Sequence, residues 1–142
     1  MPPPRAFPQN PSVMKIVKQL SVFLENKTGR INELARILGD NGISMTAFST
    51  SDNPEFGIMR LIVPDVERAA ELLRANGFGV NVSDVLCISV PNTSGSLSKV
   101  LDSLARHNIF IEYMYAFSEG DTASVVIRTG DIKRSAQILK GE

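Results

Sequence analysis

The feature that most constrains this chain is that it repeats itself. Laid on itself at an offset of 66 residues, without a gap, Asn26 falls on Asn92, Gly29 on Gly95, Leu38 on Leu104 and Ile43 on Ile109. Farther along, Asp65 falls on Asp131, Ala70 on Ala136 and Leu73 on Leu139. Similar residues coincide as well: Val22 with Ile88, Ile31 with Leu97, Leu61 with Ile127, Val66 with Ile132. The identities are few, but they sit at helix starts, helix ends and core positions. The period is longer than a solenoid unit, so the chain reads as a duplicated domain rather than an array. With 142 residues in all, each copy is a very small domain.

Each copy carries the same succession of patterns. Val17 to Leu24 alternates apolar and polar residues, as a half-buried strand does. Glu25 to Arg30 is a turn, after which Ile31, Leu34, Ala35 and Leu38 recur at helical spacing and Gly39 to Gly42 supplies a stop. Strands are expected from Ile43 to about Thr50 and from Phe56 to Val63, joined by Ser51-Asp52-Asn53-Pro54. Pro64-Asp65 caps a second helix with Val66, Ala69, Ala70, Leu72 and Leu73 inward, and Phe78 to Asp84 makes a fourth strand. The order is β-α-β-β-α-β. The second copy repeats it with a strand Val85 to Val90, a helix Gly95 to His107, strands Ile109 to Phe117 and Thr122 to Thr129, and a helix Asp131 to Lys140. The expected division is a leader over 1–14, one domain over 15–84 and another over 85–142. At this offset the fourth strand of the second copy falls near residue 144, so either that copy lacks its last strand or the sequence is shortened. The bare edge would need cover from a partner or from the leader.

Composition narrows the function. Lys+Arg and Asp+Glu are both 15, for a formal net charge of zero. That balance gives no electrostatic reason to expect nucleic acid or an anionic membrane as partner. The one cysteine, Cys87, excludes an internal disulfide and multi-cysteine zinc patterns, and its apolar neighbours mark it as a buried structural thiol. No apolar run approaches the roughly 18 residues that span a bilayer. The proline-rich start has no hydrophobic segment of the secretory kind, which leaves a disordered leader, a tag or an overcalled start ahead of Met14, and the cytoplasm as expected compartment.

Catalysis has little to stand on. The only histidine, His107, aligns with Asn41 at a helix end, where a capping residue is structurally useful. One His and one Cys so placed make no nucleophile–base pair, and metal-ligand spacing is absent. Tyr113, Tyr115 and Phe117 alternate as an RNA-stacking strand would, but without basic neighbours; packing within the sheet or in a dimer is the stronger reading. Glu112 in that apolar strand either meets an ammonium group at an interface or faces solvent.

The informative segments are Glu25-Asn26-Lys27-Thr28-Gly29-Arg30-Ile31 and Pro91-Asn92-Thr93-Ser94-Gly95-Ser96-Leu97. Each follows a strand and opens a helix. Glycine permits close backbone approach, and the free N–H groups of the helix's first turn, with the dipole behind them, suit a carboxylate. Asn26 and Asn92 offer side-chain carbonyls to an ammonium. The competing reading is that Asn and Gly simply make the turn.

These turns, together with Asn41-Gly42-Ile43 and His107-Asn108-Ile109, resemble the ACT domain, and the resemblance covers Lys15 to Glu142. The chain is similar to stand-alone tandem ACT proteins of the acetolactate-synthase-regulatory type, particularly through Phe110 to Tyr115. The resemblance implies an α+β architecture of two ferredoxin-like domains, each an antiparallel sheet with its helices on one face. It implies regulation by a free amino acid, no catalysis and no cofactor, and a homodimer. A biosynthetic enzyme regulated by direct contact is the alternative partner. Carried over, the ligand contacts are Asn26, Gly29, Arg30 and Ile31, with Asn92, Ser94, Gly95, Ser96 and Leu97. Second-strand contacts are Met45 and Phe48 in one copy and Glu112, Tyr113 and Met114 in the other. ACT turns often place proline before the glycine, where this chain has Thr28 and Ser94. The copies also differ, Arg30 against Ser96 and Glu25 against Pro91, so their sites need not be equivalent. Ile31, Leu97, Met45 and Met114 suggest an apolar ligand side chain.

Overall fold

A computed structural model describes residues 13–25, 27–52 and 56–141. The elements run β1 (Val13–Glu25), α1 (Arg30–Asp40), β2 (Ala47–Asp52), β3 (Phe56–Ile62), α2 (Val66–Ala75) and β4 (Gly79–Pro91). They continue with α3 (Ser96–Arg106), β5 (Ile111–Glu119), β6 (Thr122–Thr129) and α4 (Ile132–Lys140). The described residues divide into two compact units: 18–83 form the first, and 84–141 join 13–17 in the second.

In unit 1 the strand order is β2-β3-β1-β4. β1 and β3 are antiparallel, with Leu20 opposite Leu61 and Leu24 opposite Gly57. The alternation read in the sequence decides which face is covered. Leu20, Val22 and Leu24 join Met59 and Leu61 in a core with Leu34 and Leu38 of α1 and Ala69, Ala70 and Leu73 of α2. Phe23, between those inward residues, stays 39% exposed. Both helices therefore lie on one face of the sheet, as period-3.6 and period-2 patterns require when they share a core.

Unit 2 repeats the plan with strand order β1-β4-β6-β5. Leu86, Ile88 and Val90 of β4 pack with Leu104 of α3, Val125 and Ile127 of β6 and Ala136 of α4. On the other face Tyr115, Val126 and Cys87 line up across β5, β6 and β4. No strand follows α4 among the described residues. The place beside β4 goes instead to the first residues of β1, whose Met14 packs against the unit 2 core. The edge expected to need cover thus receives it from within the chain. β1 begins at Val13 rather than Val17, because Met14 has an apolar surface to bury against.

Several ends shift for local reasons. β2 starts at Ala47, not Ile43; Ile43 is buried after the αL turn at Gly42 (φ 70), and pairing begins with the Thr46 N–H to the Ile62 carbonyl at 2.8 Å. β5 carries a register shift between Ile111 and Tyr113, which makes Glu112 the extra residue of a bulge. Helix C-termini share one device: Asn41 Nδ2 donates to the Ile37 carbonyl, and Asn76 Nδ2 to that of Leu72, both at 2.8 Å. His107 Nδ1 lies 2.8 Å from the Ser103 carbonyl, so it is the cap its alignment with Asn41 indicated. Asn108, at φ 58, stands where the first copy has Gly42.

Candidate functional site

The helices begin in two different ways. Asp65 caps α2, its carboxylate accepting from the Arg68 N–H at 3.2 Å, and Asp131 caps α4 by accepting from Arg134 N–H at 3.0 Å. α1 and α3 start instead at Gly29 (φ 93) and Gly95 (φ 85), and neither has a side-chain cap. The left-handed conformation, costly for a residue with a Cβ, turns the strand abruptly into the helix. The first-turn N–H groups of α1 and α3 therefore lack the carboxylate that α2 and α4 carry.

At the α1 end a hollow of about 540 Å³ is lined by Glu25, Lys27, Thr28, Arg30 and Ile31 from the turn, Thr50 and Ser51 from β2, and Gly57 and Ile58 from β3. Ile31 is 48% exposed at the rim. Charges ring the turn: Lys27 Nζ is 3.3 Å from Glu25 Oε2, and Arg30 Nη2 is 3.6 Å from Glu25 Oε1. Arg30 turns inward. Its guanidinium lies 3.9 Å over the Phe78 ring, Nη1 donates to Glu33 Oε2 at 2.8 Å, and its side chain is only 11% exposed. Its bonds thus tie the start of α1 to the end of the domain.

Of the contacts expected in this copy, Arg30 and Ile31 line the hollow, and Gly29 is the left-handed residue of the turn that leads into them. Asn26 lies outside the described residues. Met45 packs against the unit 1 core, and Phe48 is 56% exposed near the sheet edge. The β2 side chains at the hollow are Thr50 and Ser51, which the sequence reading passed over. The sequence pattern assigns Ser51 to the turn after the strand, whereas β2 runs on to Asp52. Arg60 Nη1 donates to Ser51 Oγ at 3.2 Å, fixing that wall.

At the α3 turn the side chains engage one another. Thr93 and Ser96 hydroxyls are 2.7 Å apart, and the Ser96 N–H donates to the Thr93 carbonyl at 3.2 Å. Asn92 is a clamp on the β5–β6 turn: its backbone N–H donates to the Asp121 carbonyl at 2.7 Å and Nδ2 to that of Gly120 at 3.3 Å. Ser94 is exposed, while Leu97 and Met114 pack against the unit 2 core. Glu112 faces solvent enough to pair with Arg128 Nε at 3.3 Å, and Tyr113 is half-buried. The two turns are therefore unequal: the first is ringed by charges over an open hollow, whereas the second is bonded to its own hairpin, with Pro91 and Ser96 lining a separate cavity beside α3.

Cys87 is fully buried, and desolvation pushes its thiol from 9.0 up to about 12 against the opposing pull of Lys15. Such a thiol is neither nucleophile nor metal ligand at neutral pH. Among the described residues no group of three or more His, Cys, Asp or Glu is placed to hold a metal, and no helix is long and apolar enough to cross a membrane.

The sequence matches the family described as the ACT domain pair over residues 14–141, and the chain belongs to that family. A Bacteroides thetaiotaomicron protein of known crystal structure is 43% identical, with TM-score 0.86 over 90% of this chain and 89% of its own. The ligand-free regulatory subunit of aspartate kinase from Thermus thermophilus is 15% identical, with TM-score 0.66 over 90% of this chain and 95% of that one. The corresponding subunit from Thermus flavus is 14% identical, with TM-score 0.63 over 91% and 94%. These two likenesses are of fold. No curated protein matches the sequence.

Proposed function

We propose that this protein is a regulatory module that senses a free amino acid, with the α1 turn of unit 1 as its better site. The observation that carries the reading is the difference between helix starts. α2 and α4 are capped by aspartates, whereas α1 begins at an αL glycine with no side-chain cap and opens onto a hollow. An α-carboxylate would do for α1 what Asp65 does for α2. Glu25, 65% exposed at the rim, supplies negative charge for the α-ammonium. Ile31 offers a contact to an apolar ligand side chain. Binding favours one arrangement of a dimer to the extent that the ligand binds that arrangement better. An exposed Phe23 opposite Ile58 on the helix-free face of unit 1 gives the homodimer an apolar patch, and the cytoplasm is the compartment in which such a sensor would work.

A second reading is a non-catalytic regulatory subunit that docks on an amino-acid biosynthetic enzyme, such as an acetolactate-synthase-like one. Phe110, 76% exposed before β5, favours it as a contact residue. A thermal-shift panel of the twenty amino acids separates the two. A ligand at 100 times its dissociation constant adds about 2.7 kcal/mol of stability. If no amino acid raises the transition, yet the chain binds a biosynthetic enzyme through Phe110, the second reading replaces the first.

A further inference from the structure

The duplication lets each unit serve as the other's control. Arg30, Glu33, Leu34 and Ile37 form one face of α1 at i, i+3, i+4 and i+7; the same positions of α3 are Ser96, Lys99, Val100 and Ser103. In unit 1 the space over this face is filled. Phe78, 4% exposed, sits under the Arg30 guanidinium, Glu33 holds that guanidinium, and Ile37 packs against the core. In unit 2 every one of those fillers is changed. Arg30 becomes Ser96, Ile37 becomes Ser103, and Met14 rather than an aromatic ring lies beside Ile88 and Val90.

A cavity of about 340 Å³ results, within the size range of small-molecule sites. Its apolar wall is Met14, Ile88, Val90, Val100 and Leu139. Ser103 lines it at 2% exposure, and its Oγ is buried with no hydrogen-bond partner. A desolvated hydroxyl without a partner is rare in folded proteins and asks for an acceptor or donor that is not part of the chain. One turn away Lys99 reaches the mouth from an exposed position. The lining contains no aspartate or glutamate, so no carboxylate there balances the charge of an ammonium group.

We propose that this cavity binds a small carboxylic acid lacking an α-ammonium, with an aromatic or branched aliphatic body. The body fills the volume that Phe78 fills in unit 1. A carboxylate oxygen accepts from Ser103 Oγ, and its charge faces Lys99. The site is distinct from the α1 turn and differs from it in ligand class.

The test is an amide NMR titration of the full chain with 3-phenylpropionate, phenylalanine and 3-phenylpropanol. The acid is expected to shift the amides of Val100, Ser103 and Leu139 saturably at up to millimolar concentration, and phenylalanine is not. Lys99→Ala should weaken the acid about tenfold, the equivalent of ~1.4 kcal/mol, and leave the neutral alcohol unchanged. Ser103→Ile restores the residue of the other copy and should abolish binding without lowering the melting temperature. Should that variant fail to fold, Ser103→Ala, which keeps the cavity and removes the donor, should weaken the acid. No saturable shift in the wild type, binding that survives Ser103→Ile, or equal binding of phenylalanine overturns the proposal. So do contacts from residues 1–12 to Val100 and Leu139 in the free chain, which would make the chain its own occupant.

Discussion

Gly29 and Gly39 offer a matched pair of substitutions whose effects should have opposite signs. A Cβ built at either meets no heavy atom within 4 Å, so neither Gly29→Ala nor Gly39→Ala has a steric cost from tertiary neighbours. What remains is the backbone. Gly29 is held at φ 93, and an L-residue there is strained by about 1–2 kcal/mol, partly offset by the lower unfolded-state entropy of alanine. The expected net loss is about 1 kcal/mol. Gly39 lies inside α1 without a positive φ, so alanine should stabilise by about 0.5–1 kcal/mol. Gly29→Asn should cost less than Gly29→Ala, because asparagine tolerates the left-handed region and Asn108 already occupies it at φ 58. Urea titrations followed by far-UV circular dichroism read all three, with unchanged slopes showing that the unfolded reference is the same. A Gly29→Ala protein as stable as the wild type, or a Gly39→Ala protein less stable, would refute the claim that conformation rather than space reserves Gly29.

Other consequences follow from particular groups. Asp65→Ala and Asp131→Ala each remove a helix cap and should each cost about 1 kcal/mol in the same titration, while leaving amino-acid binding intact. Leu104→Ala empties a fully buried position in unit 2 and should cost about 2–5 kcal/mol by denaturant titration. Cys87 should resist a thiol reagent at neutral pH until the protein unfolds. Because its folded value, about 12, lies above the unfolded 9.0, its contribution is complete below pH 9 and declines as pH rises towards 12. The slope there is about 1.4 kcal/mol per pH unit, and Cys87→Ala should flatten it.

What could be read from the sequence was whatever is local or repeated. The duplication gave the repeated β-α-β-β-α-β order, and the alternation of Leu20, Val22 and Leu24 gave the buried face of β1. The spacing of Asn41 and His107 marked the helix ends. The turns' glycines were legible because only a residue without a Cβ suits that conformation. Long-range choices were not. Arg30 reads as a cation free for a ligand until Phe78, far along the chain, is seen beneath it. The donor bonds from Asn92 to Asp121 and Gly120 could not be read either, because those carbonyls lie nearly thirty residues farther along the chain. Glu112 looks anomalous in an apolar strand because a bulge, set by the partner strand's register, cannot be seen from its own residues. The use of Met14 to cover unit 2 was hidden for the same reason: an edge is a property of the assembled sheet.

The most direct test of the central claim is an isotope-labelled amide titration with whichever apolar amino acid stabilises the chain most. A carboxylate docked on the uncapped helix should shift the first-turn amides Arg30, Ile31 and Asn32 saturably, together with Thr50 and Ser51 across the hollow. The capped first turns at Val66 and Ile132 should stay in place. Stabilisation accompanied by shifts confined to the aspartate-capped helices or to the interior, with Arg30 to Asn32 unmoved, would contradict the account.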